Sequence, residues 1–258
     1  MTKDQRPKTK RYFIELSFNG KNYHGWQIQP DVISVQEVIQ KALSKLLRTK
    51  IEIVGAGRTD TGVHAKQIFA HFDFTSISID TLNLKNRLNA FLPDDIFIIN
   101  IYEVKNDAHA RFNAINRSYK YQIWEGKNPF MINSSWQIKT KKLDVEKMNK
   151  AASLLLDYTD FQCFSKSKTD VFTYNCDITK AKWIKEGNLL TFNITANRFL
   201  RNMVRAIVGT LYEIGIGKIT INDFIKIIES KDRSKAGISV PAQGLYLTKV
   251  DYPDSIYK

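Results

Sequence analysis

Apolar positions along the first part of the chain switch between a period of two and a period near 3.6, and the switches predict its elements. Tyr12, Ile14, Leu16 and Phe18 recur at every second residue, the spacing of a strand, and Asn19-Gly20 ends it. Ser34-Val-Gln-Glu37 reads as a capping box that opens a helix. Val35, Val38, Ile39, Ala42, Leu43, Leu46 and Leu47 then share one helical face, leaving Lys41, Lys45 and Arg48 on the other. Residues 51–54 form a short apolar run, and Ile68, Ala70, Phe72 and Phe74 alternate as a further strand. Leu84, Leu88 and Phe91 space a second helix, which Leu92-Pro93 terminates, and residues 96–104 read as a strand. The order is strand, helix, strand, strand, helix, strand, which is the ferredoxin-like arrangement.

The second part alternates again without a sequence repeat. Residues 106–116, basic at Arg111, read as a crossing segment, and Tyr119, Tyr121 and Ile123 alternate as a strand. Asp144 caps a helix whose apolar side includes Val145, Met148, Ala152 and Leu155. Residues 161–175, with Lys166 and Lys168, read as a polar loop. Residues 178–183 and 189–195 flank Glu186-Gly-Asn188, a hairpin signal. A long helix is expected over 199–214, a shorter one capped by Thr220, and a closing strand over 245–250. The simplest architecture is α+β: two related halves, residues 1–105 and 106–258, with a cleft between them.

Between two of these strands lies Gly55-Ala-Gly-Arg-Thr-Asp-Thr-Gly-Val-His-Ala65, where glycines surround Arg58, Asp60 and His64. Glycine permits positive φ and close backbone approach, so this is a shaped loop. A carboxylate held there is placed like a reactive group; the simpler reading is that Asp60 only caps a turn. Two patches elsewhere could serve it. Arg117-Ser-Tyr-Lys-Tyr121 puts Tyr119 on one side of a strand. In Asn197-Arg-Phe-Leu-Arg-Asn-Met-Val-Arg-Ala-Ile-Val-Gly209, Arg205 borders an apolar stripe, and Arg201 precedes it by one helical turn.

Charge narrows the partner. Thirty-nine Lys and Arg against 26 Asp and Glu leave +13, accompanied by 15 Phe, 11 Tyr and 4 Trp. That excess points to a polyanion, because phosphates neutralised by basic side chains release counterions. Nothing approaches the roughly 18 consecutive apolar residues of a membrane span. Met1 to Lys10 is a basic arm with no apolar segment behind it, unlike a secretory signal. Two cysteines, Cys163 and Cys176, without a Cys-x-x-Cys pair fit a reducing compartment and two inert thiols, with the cytoplasm as default. No metal-spaced cluster and no phosphate-cradling glycine loop with its lysine is present, so neither metal nor cofactor is expected.

Gly57-Arg-Thr-Asp-Thr-Gly-Val-His64, Arg117-Ser-Tyr-Lys-Tyr121, Phe199-Leu-Arg-Asn-Met-Val-Arg205 and Ala242-Gln-Gly-Leu245 stand in an order and spacing that resembles the TruA-type tRNA pseudouridine synthases. The resemblance runs from the Tyr23-His-Gly-Trp-Gln27 loop to the last strand; Thr61 replaces the alanine the family often has after its aspartate. It implies the pseudouridine synthase fold, two ferredoxin-like-derived halves with mostly antiparallel sheets and a central cleft. It implies Asp60 as the nucleophile toward a flipped uridine, Arg205 as its ion-pair partner, and Tyr119 packed on the uracil and placed to take the C5 proton. Arg58 would fill the space the base leaves or hold its phosphate. The substrate implied is the anticodon stem-loop of tRNA at positions 38, 39 and 40, bound by a homodimer, with no cofactor. Attack at ribose C1′, addition to the base and elimination to a glycal all remain open for Asp60.

Two readings from other classes compete. Asp60-Thr-Gly62 also spells the aspartic-protease triplet, but no second copy exists in the chain and the basic charge has no purpose there. A non-catalytic RNA-binding module would use the aromatics of a ferredoxin-like sheet and would not need Asp60.

Overall fold

The computed structural model describes residues 8–76, 79–139, 142–166 and 171–258; most of the basic N-terminal arm and Lys168 lie outside them. The elements run β1 (Lys8–Phe18), α1 (Val35–Leu47), β2 (Val54–Gly55), β3 (His64–Ser76), α2 (Thr81–Phe91), β4 (Ile96–Val104), β5 (Asn116–Glu125), β6 (Trp136–Ile138), α3 (Val145–Leu154), β7 (Ile178–Glu186), β8 (Leu189–Ala196), α4 (Met203–Gly215), α5 (Ile221–Ser230) and β9 (Leu245–Asp251). They fall into two compact units: unit 1 is residues 1–115 with 247–258, and unit 2 is residues 116–246. The fold is α+β with mostly antiparallel strand pairing, as the sequence pattern predicts.

In unit 1 the strands lie in the order β4–β1–β3–β9, with β2 also on β3. The first four strands therefore keep the 4-1-3-2 neighbour relations of a ferredoxin-like sheet. Tyr12, Ile14, Leu16, Ile68, Ala70 and Phe72 are buried together with Ile39, Leu43, Leu84 and Leu88. Helix α1 begins where predicted: Ser34 accepts from the Glu37 N–H at 3.3 Å, while the Glu37 carboxylate pairs with Lys41 one turn on.

Of the run 51–54 only Val54 is in a strand, the two-residue β2, and the reason is chemical. Side chains of α1 take its backbone bonds: Ser44 Oγ accepts the Ile51 N–H, Gln40 Oε1 accepts the Ile53 N–H, and Gln36 Nε2 donates to the Ile53 carbonyl. Ile51 and Ile53 are buried all the same. Phe91, predicted on the apolar face of α2, is 47% exposed beneath the Lys45 ammonium.

Unit 2 has the order β5–β8–β7, with β6 parallel to β5. With the three-residue β6 set aside, first strand beside third and third beside second is the relation β1–β3–β2 of unit 1. The hairpin turns at Gly187, φ +58, with Glu186 opposite Leu189. Asp144 caps α3 by accepting from the Lys147 N–H, and Thr220 forms a full capping box with Asp223 at α5. Part of the predicted polar loop 161–175 is core: Phe161, Cys163 and Phe164 are fully buried, with the Phe164 ring against Phe224. Burial pushes both thiols up, Cys163 to about 12 and Cys176 to about 11, so neither is a nucleophile at neutral pH. Among the described residues no helix is long and apolar enough to cross a membrane.

Candidate active site

The loop 56–63 hangs between β2 and β3 of unit 1, and its shape follows from its glycines. The Asp60 carbonyl accepts the Val63 N–H at 3.1 Å, and Gly62 has φ +78. This is a four-residue turn of the type that requires positive φ at its third position, which glycine reaches without strain. Main-chain atoms thus close the turn. The Asp60 side chain projects from its first position and is partly exposed; Arg58, two residues earlier, is exposed.

The loop 20–26 lies against this turn. Trp26 N–H donates to the Thr59 carbonyl, Gly62 N–H donates to the Tyr23 carbonyl, and Gly20 N–H donates to His64 Nδ1. Gly25, φ +87, and Gly55 are the close-approach points: a Cβ on Gly25 would stand 2.3 Å from the Thr59 oxygen, and one on Gly55 2.3 Å from the Trp26 indole nitrogen. Tyr23 is buried, and its hydroxyl donates to Asp95; burial and that bond push it well above the usual phenol range. The Tyr23-His-Gly-Trp stretch carries a signal in the sequence, a glycine among aromatics, but not the identity of the loop it meets.

In unit 2, Tyr119 stands on β5 opposite Ile194 of β8, with its ring edge-on to Phe199 at 5.1 Å. Arg117 Nη1 donates to the Asn197 carbonyl, tying β5 to the segment that leads into α4. Arg205 is in the first turn of α4. Its Nε donates to the Val240 carbonyl at 2.7 Å, and Val240 N–H donates back to the Arg205 carbonyl. The plane of the guanidinium is therefore set by residues 236–240. Arg233 holds that segment through the carbonyls of Ala236 and Gly237 and the Ser239 hydroxyl, a role no local pattern in the sequence displays. Gly209 permits the approach, since a Cβ there would fall 1.9 Å from the Ile238 oxygen.

The predicted helix over 199–214 starts later, at Met203. Asn202 is left-handed, φ +68, and donates to Ser239 Oγ, so 199–202 is a turn. Arg201 accordingly does not share a helix face with Arg205; it is exposed, and its carbonyl accepts the Lys166 N–H. Among the described residues no group of three His, Cys, Asp or Glu side chains is placed to hold a metal ion.

Arg58, Asp60 and Arg205 sit inside a match that covers most of the chain. A profile of the family described as tRNA pseudouridine synthase matches residues 16–113 and 151–253. The chain belongs to the tRNA pseudouridine synthase family. Among its relatives, the tRNA pseudouridine synthase A of Parabacteroides distasonis is 51% identical over 248 residues, 96% of this chain and 98% of that protein. That of Bacteroides thetaiotaomicron is 51% identical over 251 residues, covering 96% and 93%. The Francisella tularensis subsp. holarctica protein of the same name remains 38% identical over 253 residues, 96% of each. The family profile spans the Asp60 loop and α4, and its first block ends at residue 113, before Tyr119.

Proposed function

We infer that the chain isomerises uridine to pseudouridine at positions 38, 39 and 40 of tRNA anticodon stem-loops, as a cytoplasmic homodimer, with Asp60 as nucleophile. The observation that carries this reading is the family match over both blocks of the chain with the Gly57-to-His64 loop whole within the first. The chemistry fits the side chains. The N1–C1′ glycosidic bond breaks, the uracil turns in place, a C5–C1′ bond forms, and C5 gives up its proton while N1 gains one. Nothing is oxidised or reduced.

An aspartate suits the nucleophile's place because a carboxylate of ordinary pKa, about 3.9, is ionised at neutral pH without a separate base. The Arg205 fork, its plane set by Val240, matches a carboxylate in a bidentate pair that would hold Asp60 anionic and aimed. Tyr119, stiffened by Phe199, packs on the extruded uracil and takes the C5 proton. Arg58 occupies the space the base vacates or holds its phosphate. Extrusion costs a few kcal/mol, offset by stacking and hydrogen bonds in the pocket.

The test is tritium release from tRNA labelled at uridine C5, for the wild type and Asp60→Asn. Release by the wild type, none by Asp60→Asn, and equal tRNA binding by both is the expected result. Binding without release by the wild type would make the chain an RNA-binding module and return Asp60 to a turn residue.

A further inference from the structure

We propose that the 20–26 loop is the template that sets the position of Asp60, and that His64 and Gly25 are positioning residues of the reaction. This rests on the reading of Asp60 as nucleophile. The aspartate is bracketed on both sides within unit 1. Before it, the Thr59 carbonyl takes the Trp26 N–H at 3.3 Å; after it, Gly62 N–H reaches the Tyr23 carbonyl at 3.3 Å. At the end of the loop Gly20 N–H donates to His64 Nδ1 at 3.0 Å, and His64 is only 3% exposed. Beneath the bracket, a Cβ on Gly25 would lie 2.3 Å from the Thr59 oxygen and 3.2 Å from the Asp60 carbonyl carbon. Asp60 shifts only if this loop shifts.

The template is itself anchored. The first N–H groups of a helix have no partner within it. In α1 those of Val35 and Gln36 donate to the carbonyls of Gly25 and Trp26, at 3.2 and 3.0 Å. At the other end Tyr23 Oη and Asn22 Nδ2 both donate to the Asp95 carboxylate. A helix end and a carboxylate thus hold the 20–26 loop, and the loop holds the aspartate.

His64 contributes one atom to this frame. A backbone N–H can only donate, so Nδ1 presents its lone pair and the imidazole is neutral with its proton on Nε2. Leucine fills the volume without an acceptor. Asparagine puts an oxygen at the Nδ1 position; glutamine reaches instead to the place of Nε2.

The experiment measures kcat and KM for tritium release, tRNA affinity and thermal melting, for full-length His64→Leu, His64→Asn, His64→Gln, Gly25→Ala and Asp60→Asn. A misplacement of an ångström costs on the order of 10²-fold in turnover, so His64→Leu and Gly25→Ala should lose about that much kcat with KM and tRNA affinity unchanged. His64→Asn should recover most of the loss and His64→Gln should not. Should the leucine or alanine variant fail to fold, the asparagine–glutamine comparison carries the test alone. Wild-type kcat in folded His64→Leu, a loss confined to KM, or equal recovery by glutamine and asparagine would overturn the proposal. Turnover by Asp60→Asn would instead overturn the nucleophile, whatever His64 does. A silent Asp60→Asn beside a fully active His64→Leu would remove only the template.

Discussion

His71 on β3 is 6% exposed, and its Nδ1 accepts the Ala110 N–H at 3.2 Å while its ring meets His109 edge-on. Burial first, then the nearby Arg11 guanidinium and His109, lower it to about 4. The unfolded chain would titrate this residue near 6.5. A depressed folded value means the stability contributed by neutral His71 is complete above pH 6.5 and is lost as pH falls toward 4. The loss is on the order of 2–3 kcal/mol. His109, lowered by burial and by Arg11 and Arg111, acts in the same direction. Asp73, lowered by its fork with Arg11, loses its share mostly below the unfolded carboxylate value and so touches only the acid end of this window. Urea midpoints taken between pH 7 and 4 should fall steeply for the wild type and less for His71→Gln; parallel curves would contradict the assignment. This pair was not legible in the sequence, because a contact between residues 71 and 109 leaves no local pattern. Residue type and glycine spacing drew the eye to Asp60 and Arg58, but spacing alone left Asp60 as a turn cap, and only the other motifs and the resemblance gave the two residues roles.

Helices were the most legible elements, since a 3.6-residue period records a buried face directly. Thr220 illustrates it: the capping residues were readable, and both halves of the box are formed. Thr220→Ala should lower stability by about 1 kcal/mol, read as a shift in urea midpoint at constant slope. Starts that depend on one left-handed residue were not readable. Leu200 is buried like a helical residue, yet Asn202 holds the chain out of the helix through Ser239, so the apolar pattern overran the true start by one turn. Nor does pattern reveal backbone satisfied by side chains, as at Ile51 and Ile53. Gly209→Ala probes the strap on α4. Its Cβ would meet the Ile238 carbonyl, which is backbone, so the helix and residues 236–240 must part. A cost of about 1–3 kcal/mol follows, with tritium release reduced in proportion to how far Arg205 turns. Unchanged stability would mean the segment gives way freely.

For the whole molecule, composition was read correctly as far as it goes: +13 speaks of a polyanion, and the family is one of tRNA-modifying enzymes. If several phosphates are neutralised on binding, tRNA affinity should fall about 10³-fold between 50 and 200 mM salt. A change below tenfold would assign the excess charge to solubility instead. The alternation of strands and helices in each half was visible in the sequence, and in the first half it pointed to the ferredoxin-like order of β1 to β4; the place of β9 beside β3 was not visible, because β pairing joins distant segments. Among those segments, residues 247–258 stand with unit 1, although all of unit 2 separates them from residue 115. Proteins are made from the N-terminus onward, and most domains fold as they emerge. Here the unit that bears Asp60 cannot finish on that schedule. Until β9 leaves the ribosome, most of one edge of β3 has no partner, and an unpaired edge is a template for aggregation. The strand that completes this sheet is therefore added late: Asp60, made early, waits for residues 245–251 before its sheet is whole.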